Sequence, residues 1–143
     1  MRNDKDVKVS DRPRVLIVMG SESDRSVVKA ATEVLDEAGV SYECVVSSAH
    51  RNPDETADLA KDASRRGIRV IIAAAGLSAA LPGFLSAHTR LPIIGVPVSA
   101  GPLKGIDALL SMVQMPSGIP VGVVGIDGAK NAAHFALRIL NIY

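Results

Sequence analysis

Val15-Leu16-Ile17-Val18-Met19-Gly20-Ser21-Glu22-Ser23-Asp24 is the stretch on which the fold turns. Its apolar run is too short for an ordinary helix, is rich in branched residues and breaks at a glycine. It therefore reads as a strand buried on both faces of a parallel sheet. Directly after it, Val27, Val28, Ala31, Val34, Leu35 and Ala38 recur at helical spacing, with Gly39 placed just past the end. Strand, glycine turn and helix make one unit, and the first amides of that helix would face whatever binds beside Gly20.

Outward from this unit the alternation repeats. Tyr42 to Val46 reads as a second strand ending near Ser47, and Pro53 sits where a first helical residue tolerates proline, with Asn52 able to cap it. The helix from Pro53 runs to about Arg66 and is closed by Gly67. Val70 to Ala74 is a third strand, followed by a small-residue loop after Gly76 and a helix around Pro82 to His88. Pro92 to Val96 makes a fourth strand, Pro120 to Ile126 a fifth, and Ala129 to Leu140 the closing helix. Strands alternating with helices predict an α/β fold, a flavodoxin-like three-layer sandwich around a five-stranded parallel sheet with right-handed crossovers.

One helix departs from the amphipathic pattern. Between Gly105 and Pro116, the residues Ile106, Ala108, Leu109, Leu110, Met112, Val113 and Met115 point in nearly every direction, as in a helix buried all round. Either it packs under the Ser99 to Lys104 loop or another subunit covers it, and the second is the reading favoured here.

Length and composition exclude several classes. The 143 residues suit one domain, over residues 13–143, behind a flexible polar tail from Met1 to Arg12. With 16 Lys and Arg against 15 Asp and Glu, no global field gathers nucleic acid, and 3% aromatic content without Trp removes the stacking platforms of a single-strand binder. No apolar run approaches the roughly 20 residues that span a bilayer, no secretory leader is visible, and the one cysteine, Cys44, cannot form an internal disulfide. A cytoplasmic protein with no nucleic-acid or membrane partner is the expectation. The three histidines and Cys44 show no zinc spacing, so no metal is expected. His88 and His134 read as structural or surface residues, and Asp107 and Asp127 as helix-start carboxylates.

The candidate chemistry lies in the loops. Ser47-Ser48-Ala49-His50-Arg51-Asn52-Pro53 sets a titratable imidazole beside a fixed cation at the carboxyl end of a strand, where open α/β sheets bind ligands. In the Gly20 to Asp24 loop, Ser21 and Ser23 could hold a phosphate and Asp24 could accept from ribose hydroxyls, although Ser21 with Asp24 three residues on is also a plain helix-capping pattern. Ala75 to Gly83 is nearly free of bulky polar groups, so its backbone can approach a flat ligand. A flavodoxin-like strand order puts these loops side by side.

Five blocks carry a resemblance: Gly20-Ser21-Glu22-Ser23-Asp24, Ser48-Ala49-His50-Arg51, Leu81-Pro82-Gly83, Pro92 to Val98, and Val113-Gln114-Met115-Pro116. Their order and spacing, across about Arg14 to Leu140, resemble the purine-biosynthetic phosphoribosyl-aminoimidazole carboxylase catalytic subunit, whose bacterial form is called N(5)-carboxyaminoimidazole ribonucleotide mutase. The resemblance implies a flavodoxin-like homo-octamer without metal or organic cofactor, acting on a phosphoribosyl-aminoimidazole substrate. By position it implies His50 as the proton-transfer residue and Ser21, Asp24 and Arg51 as ligands of the phosphoribosyl group. Ser23, Ser48 and Ala49 fall with the substrate-binding residues, and Gly76 to Leu81, with Ser78 and Ala79, would close over the imidazole. The implied reaction moves the carboxylate from the exocyclic nitrogen to C-4 through transient carbon dioxide. The alternatives are direct carboxylation with free carbon dioxide, or a catalytically silent nucleotide-binding relative. Departures from the pattern are Ala80, where mutases of this family typically have a second active-site histidine, Arg25, where Trp is usual, and an end at Tyr143 without the C-terminal helix many members add.

Overall fold

The computed structural model describes residues 12–142. The expected tail thus lies outside the described residues except for Arg12, whose carbonyl accepts from Ser41 Oγ at 2.9 Å. In chain order the elements are β1 (Val15–Met19), α1 (Arg25–Glu37), β2 (Tyr42–Val46), α2 (Pro53–Ala63), β3 (Val70–Ala75), α3 (Leu81–Ser86), β4 (Ile93–Pro97), α4 (Ile106–Val113), β5 (Gly122–Val123) and α5 (Ala129–Ile139). A short 3-10 turn, Glu22–Asp24, precedes α1.

The strands form one five-stranded parallel sheet in the order β2-β1-β3-β4-β5, the order anticipated from the alternation. Both central strands, β1 and β3, are buried along their whole length, so alternate residues go to opposite layers. Val15, Ile17, Met19, Val70 and Ile72 pack under α1 and α5, whereas Leu16, Val18, Ile71 and Ala73 pack under α2, α3 and α4. Each fully buried branched side chain contributes roughly 1.5–3 kcal/mol, which is why continuous apolar runs are held as two-faced strands.

Gly39, at φ +70°, closes α1 with Val40 N–H donating to Leu35 O at 3.0 Å. Gly67, at φ +93°, closes α2 in the same manner, with Ile68 N–H donating to Ala63 O at 3.1 Å. This tightened closure ends α2 at Ala63, ahead of the expected Arg66. Asn52 does not cap α2 through its side chain. Its N–H donates instead to Ser48 O at 2.9 Å and its carbonyl accepts Thr56 N–H at 3.0 Å, so the turn that leads into the helix is closed by backbone.

The fifth strand is two residues, not seven. Pro120 has no N–H for a ladder, and its carbonyl is turned to Ser86 Oγ at 2.8 Å, so pairing with β4 is limited to Ile94 with Gly122 and Gly95 with Val123. The helix read as buried all round is amphipathic within its own chain: Ala108 and Met112 are fully buried, while Ile106, Leu110 and Val113 are 51%, 57% and 52% exposed. The Ser99 to Lys104 loop does not cover that outer face.

Candidate active site

The register fixes where the loops leave the sheet. Met19 lies level with Val46 on one side and Ala74 on the other, so the loops after β1, β2 and β3 emerge together. Backbone bonds extend the ladder one rung further, with Ser47 N–H donating to Met19 O at 2.9 Å and Gly20 N–H to Ala74 O at 3.0 Å. Between these loops lies a cleft of about 570 Å³.

The first wall is the turn into α1. Ser21 N–H donates to Asp24 Oδ2 at 3.1 Å and Ser23 N–H to Ser21 Oγ at 3.3 Å, a reciprocal cap. Ser21 and Ser23 are exposed, with their hydroxyls 3.0 Å apart, whereas Asp24 is only 5% exposed. Burial pushes the Asp24 carboxyl above the usual carboxylate range, and the Ser21 N–H partly offsets it. Arg25 pairs with Glu22 across this turn, and this ion pair holds the fully exposed Glu22 carboxyl below its ordinary value.

The second wall is the Ser47 to Asn52 loop. His50 and Arg51 are exposed and line the cleft, and Arg51 N–H donates to Ser48 Oγ at 3.1 Å. Beneath them Ser47 and Thr56 are buried, with hydroxyl oxygens 2.6 Å apart. The third wall is the loop after β3. Gly76 has no room for a side chain, since a Cβ there would come within 2.9 Å of Ala100 Cβ. Ser78, at φ +48°, accepts Ala80 N–H on its carbonyl at 2.6 Å and turns the chain into α3.

Of the residues singled out from sequence, Ser21, Ser23, Asp24, Ser48, Ala49, His50, Arg51, Gly76, Ser78 and Leu81 all line this cleft. Ala79 does not. It is 1% exposed and packs in the core with Leu81 and Leu85, because the turn at Ser78 directs it inward. Sequence reasoning missed Ala100, delivered by the loop after β4 at the same sheet edge, and the buried Ser47 and Thr56 pair, whose partners lie nine residues apart with no pattern to announce them. Ala80, the position of the absent second histidine, is on the cleft wall. His88 and His134 lie outside the cleft: His88 Nδ1 is 2.8 Å from Phe84 O, and His134 is exposed on α5. Asp107 does sit in the first turn of α4. Asp127 is no helix-start carboxylate: at φ +58°, it accepts Ser99 N–H on Oδ1 at 2.8 Å and ties the loop after β4 to the one before α5.

An imidazole and a guanidinium open to the cleft, opposite hydroxyls at a helix start and above small-residue backbone, suit an anionic, flat ligand undergoing proton transfer. A family model described as AIR carboxylase matches residues 14–143. The chain is 56% identical to the N5-carboxyaminoimidazole ribonucleotide mutase of Pyrococcus horikoshii, over 93% of this chain and 75% of that protein. It is 52% identical to the phosphoribosylaminoimidazole carboxylase of Schizosaccharomyces pombe, over 91% of this chain but 24% of that longer protein. Among solved structures, it is similar to Treponema denticola PurE, with a TM-score of 0.81 and 32% identity over 92% of this chain and 82% of that one.

Proposed function

Because this chain belongs to the AIR carboxylase family, we propose that it converts N5-carboxyaminoimidazole ribonucleotide into 4-carboxyaminoimidazole ribonucleotide, an isomerisation in purine biosynthesis. The observation that carries the reading is the meeting of His50 and Arg51 with Ser21, Ser23 and Asp24 across one cleft. Arg51 and the two serines hold the phosphate, Asp24 accepts from the ribose, and the Gly76 to Leu81 loop lies along the imidazole.

The chemistry follows from what an imidazole can exchange. Cleavage of the nitrogen–carboxylate bond releases carbon dioxide and leaves an electron pair on the exocyclic nitrogen, which takes a proton from His50. The nucleophilic C-4 of the aminoimidazole then attacks carbon dioxide, and His50 removes the C-4 proton to restore aromaticity. One proton is given and one taken back, so no net acid or base is consumed. Carbon dioxide released in the cleft is captured by C-4 of the same bound ligand.

A second reading is direct carboxylation with free carbon dioxide. It is supported by Ser78 with Ala80-Leu81, which lean towards the Ser-Asn-Ala-Leu-like stretch of the family's direct carboxylases, with Ala80 on the cleft wall where mutases of the family typically have a histidine. Supplying the carbamate in one reaction and aminoimidazole ribonucleotide with bicarbonate in another separates the two. Rapid product from the carbamate alone supports the isomerase, and product only with bicarbonate supports the carboxylase. We further propose that residues 13–143 act as one domain, that the working particle is a homo-octamer joined partly through the exposed face of α4, and that the reaction runs in the cytoplasm. Among the described residues no helix is long and apolar enough to cross a membrane.

A further inference from the structure

We propose that Thr56 is a positioning residue for the His50 loop, acting through a buried hydroxyl relay with Ser47; this rests on the function proposed above. Thr56 is fully buried in the first turns of α2, and Ser47 is 3% exposed at the end of β2. Thr56 Oγ1 is 2.6 Å from Ser47 Oγ, 2.8 Å from Asn52 O and 3.1 Å from Ser48 O.

A threonine hydroxyl has one proton to give. Directed at the two carbonyls, it is shared between Asn52 O and Ser48 O, and Thr56 Oγ1 then accepts a hydrogen bond from the Ser47 hydroxyl. A bond from threonine to the carbonyl four residues back is common in helices and alone would signify nothing. Here the same atom also holds Ser48 O, eight residues back. The two carbonyls bracket Ala49, His50 and Arg51, so one buried oxygen clamps both ends of the segment that presents the imidazole and the guanidinium. Ser47 ties that oxygen to the last rung of the sheet. Beneath the exposed His50 and Arg51, this clamp adds to the bond from Asn52 N–H to Ser48 O in holding the segment that presents them.

Thr56→Val keeps shape and removes the hydroxyl; Thr56→Ser keeps the hydroxyl; Ile68→Val trims the core at the opposite end of the sheet as a stability control. With the carbamate nucleotide as substrate, assayed well below each melting temperature, Thr56→Val should lose kcat by about tenfold or more and show a raised KM. Thr56→Ser should return to within about threefold of wild type, and Ile68→Val should match it. Where Thr56→Val does not fold, Ser47→Ala, which removes one link of the relay, should give a smaller loss of the same kind. Constants for Thr56→Val (or Ser47→Ala in its place) equal to wild type, or a loss that Thr56→Ser fails to recover, overturn the proposal. A wild type inactive on the carbamate overturns the carboxylate-transfer reading by itself. The clamp is then decided by ribose 5-phosphate affinity, which falls in Thr56→Val if the clamp positions Arg51 and is unchanged if it does not. A wild type that binds no ribose 5-phosphate overturns both.

Discussion

Asp24 sits in an environment that stability alone would not select for a carboxylate. Its pKa is raised by burial, so the folded chain holds that proton more tightly than the unfolded chain, and ionising it costs stability as pH rises from the unfolded value through the folded one. Asp24→Asn should therefore melt higher than wild type near pH 7, with the advantage fading below about pH 4, while its affinity for the ribonucleotide falls. A variant that melts no higher at neutral pH would show that the carboxylate bears no such cost. At Arg51 the charge is less important than the fork: Arg51→Lys should weaken binding of the phosphorylated substrate, and equal affinity for ribonucleotide and riboside in wild type would count against a phosphate site here. These positions were legible in the sequence because the alternation places their loops together at the carboxyl edge of the sheet, although Asp24 also serves the helix cap that its spacing from Ser21 announces. Ala79 lies off the cleft wall for a physical reason. Along a loop that turns into a helix, the side chain that enters the core is chosen by the φ of its neighbour Ser78, which no spacing rule reveals.

At the scale of elements, β1 and β3 were readable because a strand buried on both faces must be apolar throughout, whereas the stretch from Pro120 to Ile126 carries a proline and two glycines at the sheet's edge, and the pairing of β5 within it is set by what β4 offers. The direction of α4 was unreadable because its apolar residues surround the axis, and only packing of Ala108 and Met112 against the sheet distinguishes inside from outside. The joint between β2 and the end of α2 also rests on tertiary structure. Glu43, 3% exposed, pairs with the guanidinium of Arg66. Arg66→Met removes that guanidinium from a buried carboxylate that keeps a further interaction, and should cost between about 1 and 3 kcal/mol in chemical denaturation. A loss under about 1 kcal/mol would show that the pair contributes no more than a surface one.

For the molecule as a whole, the three apolar side chains on the outer face of α4 ask for a cover that the described residues do not supply. Leu110→Asp with Val113→Asp charges that face without touching the buried Met112, so light scattering should show a large particle for wild type and a small, still folded species for the variant. A well-folded wild-type monomer at micromolar concentration would contradict the assembly. The reaction itself is tested most directly by the fate of one carbon. Carbamate nucleotide labelled with carbon-13 in its carboxylate is supplied with an unlabelled carbon dioxide pool, and the product is read by mass spectrometry. In wild type the label should be retained in the carboxylate attached to C-4, and His50→Asn should form product at least about tenfold more slowly, roughly 1.4 kcal/mol of barrier. Product carrying carbon from the pool, or formed by His50→Asn at the wild-type rate, would contradict the proposed transfer.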